Sequence, residues 1–404
     1  MQINRVAVVG AGTMGSSIAV AFIARGIPVL LKDIDQEQVD KGLANIDRLL
    51  KSRVDKGMAK KEAEAQRALV EATTEYSRFS DVDFVIEAVA ENIDIKKKVF
   101  QSLDEYCNVD AIFASNTSSL SITQIGSFTR RADKVVGMHF FNPAHLMKLV
   151  EVIPGLETSQ DTVHTAITLG QSLGKLAVRV EECASFLVNR LLGRYMNEAL
   201  WCLLEGASDI EGIDKAACDT AMPIGPLALR DMNGADIGLA VAKFNFQEYG
   251  ERFAPCPILE QMVEKNLLGQ KTMGGFYAYD KETRKRAGAN PAMTEILNTV
   301  HKGEENKSKN KHSKALEFKP ERLFLPMINE AFLCLQERIC APEDLDPALC
   351  AGLGMRVGPL AMATQLGLDN CLNMIEEHFH VYGERFRPAP LLKRYVWGQR
   401  TTIS

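Results

Sequence analysis

Three stretches of this 404-residue chain occur twice at nearly constant spacing. Asn197-Glu-Ala-Leu-Trp-Cys-Leu203 returns as Asn329-Glu-Ala-Phe-Leu-Cys-Leu335. Gly225-Pro-Leu-Ala228 returns as Gly358-Pro-Leu-Ala361, and Tyr249-Gly-Glu-Arg-Phe253 as Tyr382-Gly-Glu-Arg-Phe386. The offsets are 132, 133 and 133, and a spacing held across three separate matches means one structural unit used twice. Its texture is helical. Phe186, Leu187, Leu191, Leu192 and Tyr195 recur at helical spacing before Ala199 and Leu200, the mark of an apolar stripe on one helix face. The expected units are a helical domain over 184–281, a linker over 282–318 and a second helical copy over 319–404. The linker assignment rests on Lys302, Lys307, Lys309, Lys311 and Lys314 crowded among Asn, Ser and Gly, a composition that favours a solvated loop.

Residues 1–183 alternate short apolar runs with helical patterns. Candidate strands are Arg5–Val9, Val29–Lys32, Phe84–Ala88, Ala111–Ala114, Val135–Phe140, Leu149–Ile153 and Leu176–Val180. Candidate helices are Met14–Ala24, Glu37–Val54, Lys96–Glu105 and Asp161–Leu173. Such alternation predicts a mostly parallel sheet with helices on its faces. Composition agrees with a packed chain, at 46% hydrophobic and 25% charged residues. The net charge of −5 and pI of about 5.9 give no basic field for nucleic acid. No apolar run approaches the roughly 20 residues of a membrane span, and the first residues read as a strand with no signal peptide. Nine cysteines without a C-x-x-C pair suggest reduced thiols in a cytoplasmic setting and no metal site.

Gly10-Ala-Gly12-Thr-Met14-Gly15 follows the first strand and opens a helix. In that context Gly10 permits the tight turn, Gly12 lets backbone approach a pyrophosphate, and Gly15 lets helix and strand pack closely. Asp33 ends the second strand, where an acid accepts from ribose hydroxyls and repels a 2′-phosphate. NAD is favoured over NADP, with FAD a weaker alternative on the motif alone. The fold class is thus an α/β Rossmann-type doubly wound sheet followed by two homologous all-α domains.

Two polar clusters sit at strand ends, where open α/β sheets bind ligands: Ser115-Asn-Thr-Ser118-Ser119 and His139-Phe-Phe-Asn142-Pro143. Glu151 lies on the next apolar run, and a carboxylate there needs a partner. His139 is the natural one, because the Pro143–His145 return lets the two side chains meet. Oxidation of an alcohol by NAD needs a proton acceptor near neutral pH, which imidazole supplies, and a carboxylate behind it fixes the tautomer. A nucleotide-binding sensor would lack this relay. A dehydrogenase for free hydroxy acids would call for a carboxylate-binding Arg pair that is not evident.

With Lys148-Leu-Val-Glu-Val152 and Gly269-Gln-Lys-Thr272, these motifs resemble those of L-3-hydroxyacyl-CoA dehydrogenases, including the 3-hydroxybutyryl-CoA type, over about residues 1–280. The duplicated helical domain is similar to the dehydrogenase half of multifunctional fatty-acid oxidation proteins. The resemblance implies reversible NAD-dependent oxidation of an (S)-3-hydroxyacyl-CoA. It implies His139 as general base, Glu151 as its orienting partner, and Ser118 and Asn189 on the reacting oxygen. It implies Met14, Glu91, Lys96, Asn142 and Lys271 near the cofactor and, through a looser match, Lys51 near the CoA phosphates. The family usually has Pro-Gly before its Phe-x-Val-Asn-Arg segment, whereas this chain has Ala184-Ser185 before Phe186-Leu-Val-Asn189-Arg190. In single-copy relatives the helical domain forms a dimer interface. The second copy is therefore expected to supply that surface within one chain, giving a monomer or a differently built homodimer.

Overall fold

The computed structural model describes residues 3–305 and 316–403. They divide into two compact units, Met1–Phe186 and Leu187–Ser404.

The first unit is an eight-stranded sheet: β1 Val6–Val9, β2 Val29–Lys32, β3 Val70–Thr73, β4 Phe84–Glu87, β5 Ile112–Ser115, β6 Val135–Phe140, β7 Leu149–Pro154 and β8 Leu176–Arg179. Its helices are α1 Thr13–Ile23, α2 Gln36–Asp55, α3 Lys60–Arg67, α4 Ile93–Tyr106, α5 Ile122–Gly126 and α6 Gln160–Ser172. The strand order is β3-β2-β1-β4-β5-β6-β7-β8. Chain direction along the sheet reverses its sequence order between β1 and β4, the switch point at which such sheets open a ligand crevice. Pairing is parallel except between β6 and β7. Strands β1, β2, β4 and β5 are buried end to end, because helices cover both faces.

Two local features set the crevice. Asp35 caps α2, its side chain accepting from Gln38 N. Gly10 has φ 103°, and a Cβ there would lie 2.5 Å from Ala88 O, so the turn after β1 can approach β4 only as glycine.

The second unit carries the repeat as two helix sets. The first is α7 Phe186–Leu204, α8 Ile210–Thr220, α9 Pro226–Asn233, α10 Ala235–Tyr249 and α11 Ile258–Glu264. A small hairpin follows, β9 Tyr277–Tyr279 with β10 Arg286–Ala289, then α12 Ala292–Glu305. The second set is α13 Glu321–Gln336, α14 Pro342–Leu353, α15 Pro359–Leu366, α16 Leu368–Tyr382 and α17 Pro390–Trp397. The copies share detailed wiring. Asp214 accepts from Leu227 N and Ala228 N, and Asp346 accepts from Leu360 N and Ala361 N. Asn197 bridges Ala254 O and Cys256 N, and Asn329 bridges Arg387 O and Ala389 N.

The contact between copies is built on buried, crossed ion pairs. Arg190 of the first copy reaches Glu330 and Glu337 of the second at 2.7 Å each. Arg322 of the second copy reaches Glu198 at 2.8 Å and also Glu205. Arg252 and Arg385 repeat the pattern, on Glu330 at 3.2 Å and on Glu198 at 3.2 Å. Burial pushes the Glu330 carboxyl up, but Arg190, Arg252 and Arg194 together hold it below the ordinary carboxylate range.

The stretch 282–318, expected to be a solvated linker, is corrected over its first part by β10 and α12. Met293, Ile296 and Val300 are buried along α12, a helical stripe that the polar and glycine-rich surroundings obscured. Lys302 is exposed on that helix. Lys307, Lys309, Lys311 and Lys314 lie outside the described residues.

Candidate active site

His139 and Glu151 face each other across β6 and β7 in direct register. His139 Nδ1 lies 2.6 Å from Glu151 Oε2. The carboxylate is fully buried and the imidazole is 6% exposed. An antiparallel neighbour is needed for this, since only a strand returning beside β6 brings residue 151 opposite residue 139 within twelve positions. The return itself is pinned from below. Lys175 Nζ donates to Ala144 O at 2.6 Å and Met147 O at 2.7 Å, and burial together with nearby Arg25 brings its amine down to about 8. Ser17 on α1 hydrogen-bonds His145 from the other side. The rings of Phe141 and Phe186 lie 4.6 Å and 5.8 Å from the imidazole, centroid to centroid, and wall it with apolar surface.

The second cluster is organised by Glu91. Its Oε1 accepts from Thr117 Oγ1 at 2.7 Å, Ser118 N at 2.9 Å, Ser118 Oγ at 3.2 Å and Ser119 Oγ at 3.3 Å. Burial pushes the Glu91 carboxyl up, yet Lys96 and the hydroxyl and amide donors outweigh it and hold it ionised below its usual range. Beneath lies Glu87, fully buried, which takes Lys96 Nζ at 2.7 Å, Ser115 Oγ at 2.6 Å and Val89 N at 2.8 Å. Lys96 is 1% exposed; it stands behind Glu91, 3.4 Å from its Oε2, and acts on the crevice through that acid. The Glu87–Lys96–Ser115 cluster was not singled out from sequence, although a Glu ending the apolar run Phe84-Val-Ile-Glu87 carries the same signal as Glu151. Asn116 adds a further tie, its Oδ1 accepting from Phe140 N at the end of β6.

The glycine turn fits a dinucleotide. Helix α1 begins at Gly12 with no side-chain cap. A Cβ on Gly12 would meet nothing within 4 Å, so there is open space above the helix start, while one on Gly15 would lie 1.7 Å from Gly10 O. Met14 is half-buried in the first turn. Asp33 grips the same turn, one oxygen accepting from Ala11 N and the other from Ile34 N, both at 2.6 Å. Asn142 is exposed after β6, and Lys51 is exposed on α2, on the rim of a groove of about 640 Å³ between α2 and α3.

In the second unit Asn189 lies in the first turns of α7, and Lys271 is ion-paired to Asp236 at 2.5 Å. Just before α7, Ser185 and Phe186 hold φ of 61° and 53°, left-handed values that cost a side-chain-bearing residue about 1–2 kcal/mol. Ser185 stands where the family carries glycine. Ser185→Gly is expected to raise the unfolding free energy by about 0.5–1 kcal/mol. Denaturant melts of both proteins check it; an unchanged or lower midpoint contradicts the strain.

The comparisons with known proteins match this architecture. The model for the 3-hydroxyacyl-CoA dehydrogenase NAD-binding domain matches residues 5–183, and that for the C-terminal domain matches 186–279 and again 318–402. The chain belongs to the 3-hydroxyacyl-CoA dehydrogenase family, NAD-dependent oxidoreductases of fatty-acid β-oxidation, and its first unit is that family's NAD-binding domain. It is 46% identical over 280 residues to a 3-hydroxybutyryl-CoA dehydrogenase of Clostridioides difficile, covering 69% of this chain and 100% of that one. It is 36% identical over 403 residues to a fatty acid oxidation complex subunit alpha of Shewanella amazonensis, covering 97% of this chain and 55% of that one. This chain thus spans about half the length of such relatives. A crystal structure of a 3-hydroxybutyryl-CoA dehydrogenase from Escherichia coli K12 matches with a TM-score of 0.87 at 30% identity, covering 98% of this chain and 99% of that one.

Proposed function

We propose that this chain interconverts (S)-3-hydroxyacyl-CoA and 3-oxoacyl-CoA with NAD, His139 serving as general base. The observation that carries the reading is the buried 2.6 Å contact between His139 Nδ1 and Glu151. With Nδ1 engaged, Nε2 is the atom left to take the proton from the 3-hydroxyl. Glu151 fixes that tautomer and stabilises the imidazolium that forms. Bound NAD supplies the hydride acceptor. Gly10, Gly12, Met14 and Gly15 would hold its pyrophosphate side, and Asp33 the adenosine ribose. Glu91, Asn142 and Lys271 would line its other half, with Lys96 keeping Glu91 ionised from behind. Ser118 and Asn189 would hydrogen-bond the reacting oxygen, and Lys51 would reach toward the CoA phosphates.

None of the nine cysteines is in a disulfide, which supports a reducing, cytoplasm-like compartment. Among the described residues no helix is long and apolar enough to cross a membrane. The crossed Arg–Glu pairs support the second helical copy acting as a built-in partner surface rather than as a second reaction centre.

The test is NADH formation across a panel of (S)-3-hydroxyacyl-CoA esters, with NADP and free 3-hydroxy acids as controls. CoA esters with NAD are expected to react, and NADP to be slower by at least tenfold in kcat/KM. Equal rates with NADP would remove the role given to Asp33. Reaction of the free acids alone would replace the thioester assignment.

A further inference from the structure

The buried arginines of the second unit come with carboxylates. Arg190 has Glu330, Arg322 has Glu198, and Arg385 has Glu198 and Glu205. Arg230, on α9, does not. Its Nε is buried with no hydrogen-bond partner among the described residues. Its chain neighbour Asp231 is committed elsewhere, accepting from Phe276 N, Tyr277 N and Tyr279 OH. Burial lowers the guanidinium to about 10, against weak opposition from Asp231. A desolvated cation without a counter-charge is unfavourable, and a fold that pairs its other buried arginines so fully implies a partner that arrives from outside.

The repeat supplies an internal control. At the offset of 133, Arg230 corresponds to Ala363 and Gly238 to Cys371. A Cβ on Gly238 would lie 2.1 Å from Arg230 Nη1. The first copy therefore gives up a side chain on α10 to seat this guanidinium, and the second copy has neither the arginine nor the gap. The surroundings change in the same direction. Met232, Ile237 and Val241 are 55%, 56% and 37% exposed, and their counterparts are Gln365, Asn370 and Met374. A cation beside open apolar surface suits a ligand that is both oily and anionic. An acyl-CoA is such a ligand, with carboxylate or phosphate oxygens that a guanidinium can take two at a time.

We propose that Arg230 is a specificity-determining residue that receives an anionic oxygen group of the acyl-CoA, either a carboxylate at the far end of the acyl chain or a phosphate of CoA. The inference rests on the dehydrogenase reading above and deepens it by naming what the substrate must present.

The test uses the full chain, wild type against Arg230→Ala and Arg230→Gln. Alanine is the residue the second copy already carries, and glutamine is neutral and long enough to fill the space if alanine fails to fold. Three thioesters are compared: 3-hydroxybutyryl-CoA, the CoA ester of a six-carbon 3-hydroxydicarboxylic acid, and the N-acetylcysteamine ester of 3-hydroxybutyrate, which has no phosphate. A rise in KM of tenfold or more for the dicarboxylic ester alone assigns the acyl carboxylate. A rise of that size for both CoA esters, with the N-acetylcysteamine ester within twofold, assigns a CoA phosphate. The melting midpoint is expected to hold or rise, because an unpaired buried charge is removed. KM values within twofold for all three esters overturn the proposal. So does an equal loss for all three with a lowered midpoint, which is the signature of a packing role. Wild-type protein inactive on every thioester would instead sink the dehydrogenase reading, a separate outcome.

Discussion

His139→Gln is expected to lower kcat by about 10²–10⁴-fold, the range for loss of a positioned general base, which corresponds to roughly 3–5 kcal/mol of transition-state stabilisation. Glutamine keeps a polar group of similar reach beside Glu151 but cannot accept a proton at neutral pH. Since the loss falls on proton transfer, KM for the thioester and affinity for NADH, read by fluorescence titration, are expected to stay within a few-fold. Glu151→Gln separates the orienting role from the basic one. The amide can still accept from Nδ1–H, so the ring stays placed, but the charge that stabilises the imidazolium is gone. A loss of about 10²-fold or more in kcat with a near-native melt is the expected result. Wild-type turnover in His139→Gln would refute the base assignment. A Glu151→Gln protein that melts early yet turns over normally would make the pair a structural tie between β6 and β7.

Much of this site was legible because the sequence concentrates its chemistry at strand ends. Gly10, Asp33, Ser118, His139 and Glu151 each follow or sit on an apolar run, and a sheet delivers such ends to one region. What escaped did so for physical reasons. Strand β3 is short and lies at the edge, with Glu71 exposed and only Val70 and Thr73 buried, so it lacks the apolar density of β1 or β4. Helix α3 is almost entirely charged and presents no stripe. Helix α12 was hidden by its setting, since a composition argument averages over Met293, Ile296 and Val300. Lys96 was assigned to the cofactor through family resemblance, and its burial against Glu87 shows that resemblance fixes a neighbourhood but not which atom faces the ligand. The Arg190–Glu330 pairing spans 140 residues, a distance no local pattern reports. Yet the repeat holds its trace, because Arg190 and Glu198 return as Arg322 and Glu330 at the same offset.

That repetition leads to the second large effect. Glu330 is fully buried and faces Arg190, Arg194 and Arg252. Glu330→Ala is expected to lower the unfolding free energy by about 3–5 kcal/mol, because the cations are left uncompensated, a large share of the roughly 5–15 kcal/mol a domain possesses. The carboxyl's folded value is depressed, so its contribution is present above the ordinary carboxylate range and is lost as pH falls through that depressed value. Removing the whole second copy by ending the chain at residue 318 should do something more specific. It uncovers Tyr195, whose ring packs at 5.2 Å on Phe324, and it strips Arg190 of Glu330 and Glu337. A second truncated chain can restore both, because it carries Glu198 and Glu205 at the positions equivalent to Glu330 and Glu337, and offers its own Arg190 in return. A surface whose cation and acid answer each other by a two-fold operation is self-complementary. The truncated protein is therefore expected to sediment as a dimer, and Glu198→Ala within it to return monomer or aggregate. A truncated chain that sediments as a stable monomer, with the melt of the full chain, would show that the crossed arginines do not substitute for a partner subunit.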